Sequence, residues 1–93
     1  MMGMYEEFKA EEEKYHNLYI KNNNILDELK SDTFKLAITK AQSIGIPSTY
    51  VWFKEQRDNH SKSYDKLGRN LANAYGLVVG KMWKYYKKAE RKE

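Results

Sequence analysis

The stretch "SKSYDKLGRNLANAYGLVVGKMWKYYKKAER", residues 61–91, decides how the chain folds. In it Tyr64, Leu67, Leu71, Ala74, Tyr75, Val78, Met82, Tyr85 and Ala89 recur at spacings of three and four, the period at which one face of an α-helix returns. The pattern predicts a single amphipathic helix of many turns over 61–91, the spine against which everything else packs. Gly68 is the residue able to break it near its start, since an interior glycine costs a helix about 1 kcal/mol relative to alanine. Gly76 and Gly80, four apart beside Ala72, predict a face where another helix comes close.

Around this spine, composition sets narrow limits. The chain has 93 residues, one proline, five glycines and no cysteine. That length makes one small domain, and the abundance of Lys, Glu, Leu, Ala and Tyr favours helices over short strands. The expected fold is all-α, a small helical bundle over 1–93. So small a core stays marginal unless helices pack tightly or copies associate, so a homo-oligomer is expected, with a dimer favoured. Without cysteine there are no disulfides or thiolate metal sites. No apolar run reaches the roughly 20 residues of a bilayer span, and the start, "MMGMYEEFKAEEEKYH", is acidic where an export signal is basic and then apolar. A cytoplasmic location is the expectation.

Upstream, Phe8, Tyr15, Leu18, Tyr19, Ile25, Leu26 and Leu29 fall near one stripe between residues 4 and 30. Asn22, Asn23 and Asn24 either split this acidic segment into a helix pair or place Asn22 in a packing seam; with no glycine or proline to enforce a stop, continuity is favoured. Ser31, Asp32 and Thr33 are good N-caps, and Phe34, Ala37, Ile38, Ala41 and Ile44 give the next helix, 33–44, an apolar face. Gly45 and Pro47 end it. Ser48 or Thr49 is placed to cap the helix that follows, 48–59.

Between residues 35 and 57 the sequence "KLAITKAQSIGIPSTYVWFKEQR" is similar to a helix-turn-helix. Ala41 would permit a close crossing, Gly45 the turn, and Ile46 and Val51 would pin the second helix. That resemblance implies Ser48, Thr49, Tyr50, Lys54 and Arg57 facing phosphates or base edges. Against it, Lys54 stands where the pattern is apolar, and Trp52 and Phe53 stand where a reading helix is polar. Tyr50, Val51, Trp52 and Phe53 wrap about a full turn, as in a helix buried on several sides or used in an interface.

Charge is divided unevenly. Residues 1–32 carry eight acids against four lysines, whereas 33–93 carry thirteen bases against five acids. Positive potential concentrated in one part of a chain attracts polyanions. The tail "GKMWKYYKKAERKE" sets Lys81, Lys84, Lys87, Lys88, Arg91 and Lys92 among Trp83, Tyr85 and Tyr86, a pattern that stabilises a helix C-terminus and also suits a nucleic-acid backbone.

Catalysis has no comparable support. His16 and His60 lack metal-ligand spacing, the glutamate runs read as solvated helix surface, and no phosphate-binding glycine loop or nucleophile elbow occurs. Neither an enzyme nor a metal or cofactor is expected. The expected function is nucleic-acid binding, as a DNA-binding regulator or accessory protein of a phage, plasmid or AT-rich bacterium, with Lys84 and Lys88 adding to the surface of residues 48–57. The alternative is a non-enzymatic interaction protein, such as an inhibitor, adaptor or immunity-type protein, binding a protein partner through Tyr50, Trp52, Phe53 and Trp83. The many Lys, Asn, Ile and Tyr residues, encoded by AT-rich codons, motivate the assignment of origin.

Overall fold

The computed structural model describes residues 3–91, the side chains of Glu90 and Arg91 excepted, so Lys92 of the basic tail lies outside the described residues. Among these residues there are four helices and no strand: α1 (Met4–Asn22), α2 (Ile25–Ile44), α3 (Ile46–Ser61) and α4 (Lys66–Arg91). The all-α bundle with a long C-terminal helix is the fold. Its boundaries depart from the sequence reading at each junction, for identifiable reasons.

The acidic segment is a helix pair. Asn23 takes the left-handed conformation, φ 53°, and its N–H donates to the Tyr19 carbonyl, closing α1. Asparagine tolerates that region better than other residues with a side chain. Asn24 then turns extended, and its Oδ1 accepts from the Leu26 N–H at 3.0 Å, which caps α2. Two asparagines thus do what a glycine and a serine commonly do, and Ser31, Asp32 and Thr33 fall inside α2 instead of starting it. Their hydroxyls have other tasks. Ser31 donates to the Glu12 carbonyl across the helix pair at 2.8 Å, and Thr33 donates back to the Leu29 carbonyl at 2.7 Å.

Only Gly45 separates α2 from α3. Its φ of 86° with ψ of 163° belongs to a region open essentially to glycine, and it serves as both the end of α2 and the N-cap of α3. The helix therefore begins at Ile46, two residues before the expected start, with Pro47 in a first turn where its missing N–H costs nothing. Thr49 is no cap: fully buried, it donates its hydroxyl to the Gly45 carbonyl at 2.7 Å. At the far end Ser61 closes α3, and α4 starts at Lys66 after a short turn. Gly68 does not break α4. It lies in the first turn under the Ser63 side chain, where a β-carbon would collide.

The helices pair as two antiparallel hairpins. In α1–α2, Phe8 meets Phe34 edge-on at 5.1 Å between ring centroids and Tyr15 stacks on Phe34 at 6.0 Å. In α3–α4, Tyr50 stacks on Tyr86 at 4.2 Å, Arg57 lies over Gly76, and His60 stacks on Tyr75. The common core draws on both: Met4, Phe8, Phe34, Ala37, Ala41, Phe53, Val78, Val79 and Met82 are buried together. Four residues assigned to packing stripes lie outside instead. Ile25 is exposed where the asparagine break resets the helical register, Ile44 is exposed at the end of α2, and Tyr64 and Leu67 are exposed at the α3–α4 turn. The expected close crossing at the glycine pair is also absent at Gly80, around which nothing approaches within 4 Å of an added β-carbon.

Side chains of α1 reach the C-terminal half of α4. Glu7 accepts from the Tyr85 hydroxyl at 2.8 Å and from Lys84 Nζ at 3.0 Å, and Glu11 pairs with Lys81 at 3.3 Å. Burial pushes the Glu7 carboxyl up, but the hydrogen bonds from Tyr85 and Lys84 and the charges of Lys84 and Lys81 together hold it below its ordinary value. Tyr85 is raised, first by burial and then by its bond to Glu7. No helix among the described residues is long and apolar enough to cross a membrane.

Candidate nucleic-acid interface

The helix that resembles a reading helix presents the wrong face for one. Val51, expected to pin it inward, is 44% exposed, whereas Thr49, Tyr50 and Phe53 are buried against the bundle. At 100° per residue, α3 is turned by about a third of a revolution from the helix-turn-helix arrangement. A connection of one residue, Gly45, replaces the usual three or four. Thr49 and Tyr50 are therefore removed from the set of nucleic-acid contacts, and Tyr50 and Phe53 from the set of partner anchors. Their rings are held by α4: Tyr50 by Tyr86, Phe53 by Tyr75. Trp52 is half-buried, edge-on to Tyr75 and covered by Lys40 Nζ at 4.2 Å from its ring centroid. Arg57 pairs with its neighbour Asp58 at 3.2 Å and lays its stem on Gly76.

The remaining expected residues divide between two places. Ser48 and Lys54 are exposed on α3, and Trp83, Lys84 and Lys88 are exposed on α4. Because α3 and α4 run antiparallel, the start of α3 lies beside the end of α4. There Tyr50, Trp83 and Tyr86 form a continuous aromatic group, with centroids 4.2 Å apart for Tyr50–Tyr86, 5.8 Å for Tyr50–Trp83 and 5.9 Å for Trp83–Tyr86. Tyr50 forms its buried side, and Trp83, 48% exposed, its outer side. A shallow groove lined by Pro47, Ser48, Val51 and Tyr86 adjoins it, and Lys88 lines a second with Ile46, Tyr85 and Ala89. Lys87 Nζ sits 5.3 Å from the Trp83 ring centroid.

Electrostatics separates these lysines. Lys81 and Lys84 are engaged by Glu11 and Glu7, which anchor α1. Among the described residues Lys54, Lys87 and Lys88 form no ion pair. Lys54 stands about one turn along α3 from Val51. The surface thus combines an accessible indole, an apolar groove and three cations without acidic partners. No protein-family model matches the chain, and neither a curated protein nor a solved structure does. Among the described residues, no three His, Asp or Glu side chains are grouped to hold a metal ion.

Sequence reasoning named Ser48 and Lys54 and set Tyr86, Lys87 and Lys88 beside Trp83 in the basic aromatic tail, but it did not place Pro47 and Val51 at this surface. That Lys87 shares the Trp83 helix face follows from their spacing of four residues. The grooves do not follow from spacing, since they depend on how α3 is turned.

Proposed function

We propose that this chain is a small, non-catalytic helical protein that binds nucleic acid through the α3–α4 surface around Trp83, and not by inserting α3 as a reading helix. The observation that carries this is the exposed Trp83 ring stacked on Tyr86 with Lys87 Nζ over it, while Lys54 and Lys88 are exposed on the same two helices and none of the three lysines forms an ion pair among the described residues. Lysines attract phosphates by releasing condensed counterions, and aromatic faces accept bases without regard to sequence. With no reading helix presented to a groove, an accessory protein of a phage, plasmid or AT-rich bacterium suits the surface better than an operator-reading regulator.

Fluorescence anisotropy of labelled oligonucleotides at 50 and 200 mM salt tests this. Three phosphate contacts predict a loss of affinity of roughly 20- to 40-fold over that range. Replacing Lys54, Lys87 and Lys88 together by alanine is expected to remove most of the binding and flatten the salt dependence. Affinity that ignores both salt and the triple change would refute the assignment. The apolar groove of Pro47, Val51 and Tyr86 favours a second reading, in which a protein partner docks there. It differs in predicting an association that survives the lysine changes and fails with Val51→Asp.

A further inference from the structure

Among the described residues nothing packs on Gly80. It lies in the middle of the longest helix, exposed, with nothing within 4 Å of where a side chain would begin. A glycine there costs α4 about 1 kcal/mol relative to alanine, and no turn, close crossing or positive φ accounts for it. Gly76 differs, since the Arg57 stem lies 3.4 Å from its position, as does Gly68, which Ser63 covers. Gly80 precedes Trp83 by three residues and Lys87 by seven, so all three lie on one helix face. Trp83 thus stands one turn on from Gly80 along that face, with none of its side-chain atoms within 4 Å of the Gly80 position.

We propose that Gly80, Trp83 and Lys87 form a stacking platform for an unpaired base, so that the nucleic acid bound is single-stranded. The inference rests on the nucleic-acid reading above and specifies its form. A base stacked on Trp83 needs flat, open space beside the indole, which Gly80 leaves and any larger residue fills. Lys87, already over the aromatic ring, is placed for the adjoining phosphate. A duplex hides its base faces and would use the lysines alone. Charge complementarity supports either form, but the exposed indole and vacant glycine position favour the single strand.

The test uses the full chain carrying Trp52→Phe, which leaves Trp83 as the sole indole. Labelled oligothymidylate and a hairpin duplex of equal length are titrated at low salt, reading anisotropy and tryptophan emission together. The expected result is tighter binding of the single strand with quenched emission. Trp83→Ala is expected to weaken single-strand binding by about tenfold and to change duplex binding by less than about twofold. Gly80→Leu, which keeps a good helix former and fills the space, is expected to weaken single-strand binding severalfold while the protein stays folded by circular dichroism. Single-strand binding without quenching, or unaffected by Trp83→Ala, overturns the platform and leaves the lysine-based reading standing. If neither oligonucleotide binds in a salt-sensitive way, both proposals are lost.

Discussion

Three glycines on one helix predict three different responses to the same methyl group. At Gly80, Gly→Ala adds a side chain to open space, so the full difference in helix propensity is gained, about 1 kcal/mol. For a domain of this size that raises Tm by about 4–8 °C. At Gly76 the new methyl meets the Arg57 stem at 3.4 Å, a flexible chain that can yield, so the gain is partly offset and the net change is small. At Gly68 it runs into both the β-carbon and the hydroxyl of Ser63, which is itself fixed by accepting from the Asp65 N–H. Overpacking of that kind costs about 1–3 kcal/mol, and the first helical turn recovers little of it. Urea unfolding followed by circular dichroism measures all three, provided the m-values agree, so that midpoints report stability alone. The order of stability should be Gly80→Ala, Gly76→Ala, Gly68→Ala. A Gly80→Ala protein less stable than the parent would mean that α4 is approached at that point, and would remove the argument that Gly80 is kept vacant for a ligand.

Other perturbations test the fold itself. Phe8→Ala removes a fully buried ring that contacts both Phe34 and Tyr85, and should cost about 3–5 kcal/mol, measured by the same unfolding assay. Asn24→Ala deletes the cap of α2 and should cost about 1 kcal/mol, with amide exchange quickening first at Leu26. Glu7 has a lowered pKa in the folded state, so its stabilisation is complete above the unfolded value of about 4.3 and is lost as pH falls through the folded one. Thermal unfolding across the acid range should therefore show a loss that Glu7→Gln diminishes.

How much of this was legible beforehand depends on how many residues could answer each question. The spine was readable because eight apolar positions of α4, Leu67 to Ala89, keep one period, and all but Leu67 are buried or half-buried. The break at Asn23–Asn24 was not, since asparagine stops a helix only when both its left-handed tolerance and its capping oxygen are used in succession. The orientation of α3 was not readable for a different reason. Tyr50, Val51, Trp52 and Phe53 are apolar all around the helix, so periodicity cannot choose an inner face. That choice is made by residues distant in sequence: Tyr86 takes Tyr50, Tyr75 takes Phe53 and Trp52, and Val51 is left outside.

The charge pattern poses the same problem with a sharper consequence. Four lysines in the last turns of α4 look equivalent in sequence, yet α1 distinguishes among them. Lys81, Lys84 and Tyr85 lie on the side that receives Glu11 and Glu7, whereas Gly80, Trp83 and Lys87 lie on the next strip around the helix, where no ion pair occurs among the described residues. Removing either of two neighbouring lysines should thus have opposite effects. Lys84→Ala takes a donor from the half-buried Glu7 carboxylate and is expected to lower Tm while leaving oligonucleotide affinity nearly unchanged. Lys87→Ala touches no ion pair among the described residues, so stability should stay within about 0.5 kcal/mol, as is usual for surface changes, while affinity falls severalfold. Equal losses of affinity in the two variants would show that the ligand sees only summed positive charge, and that pairing with α1 does not select the lysines that bind.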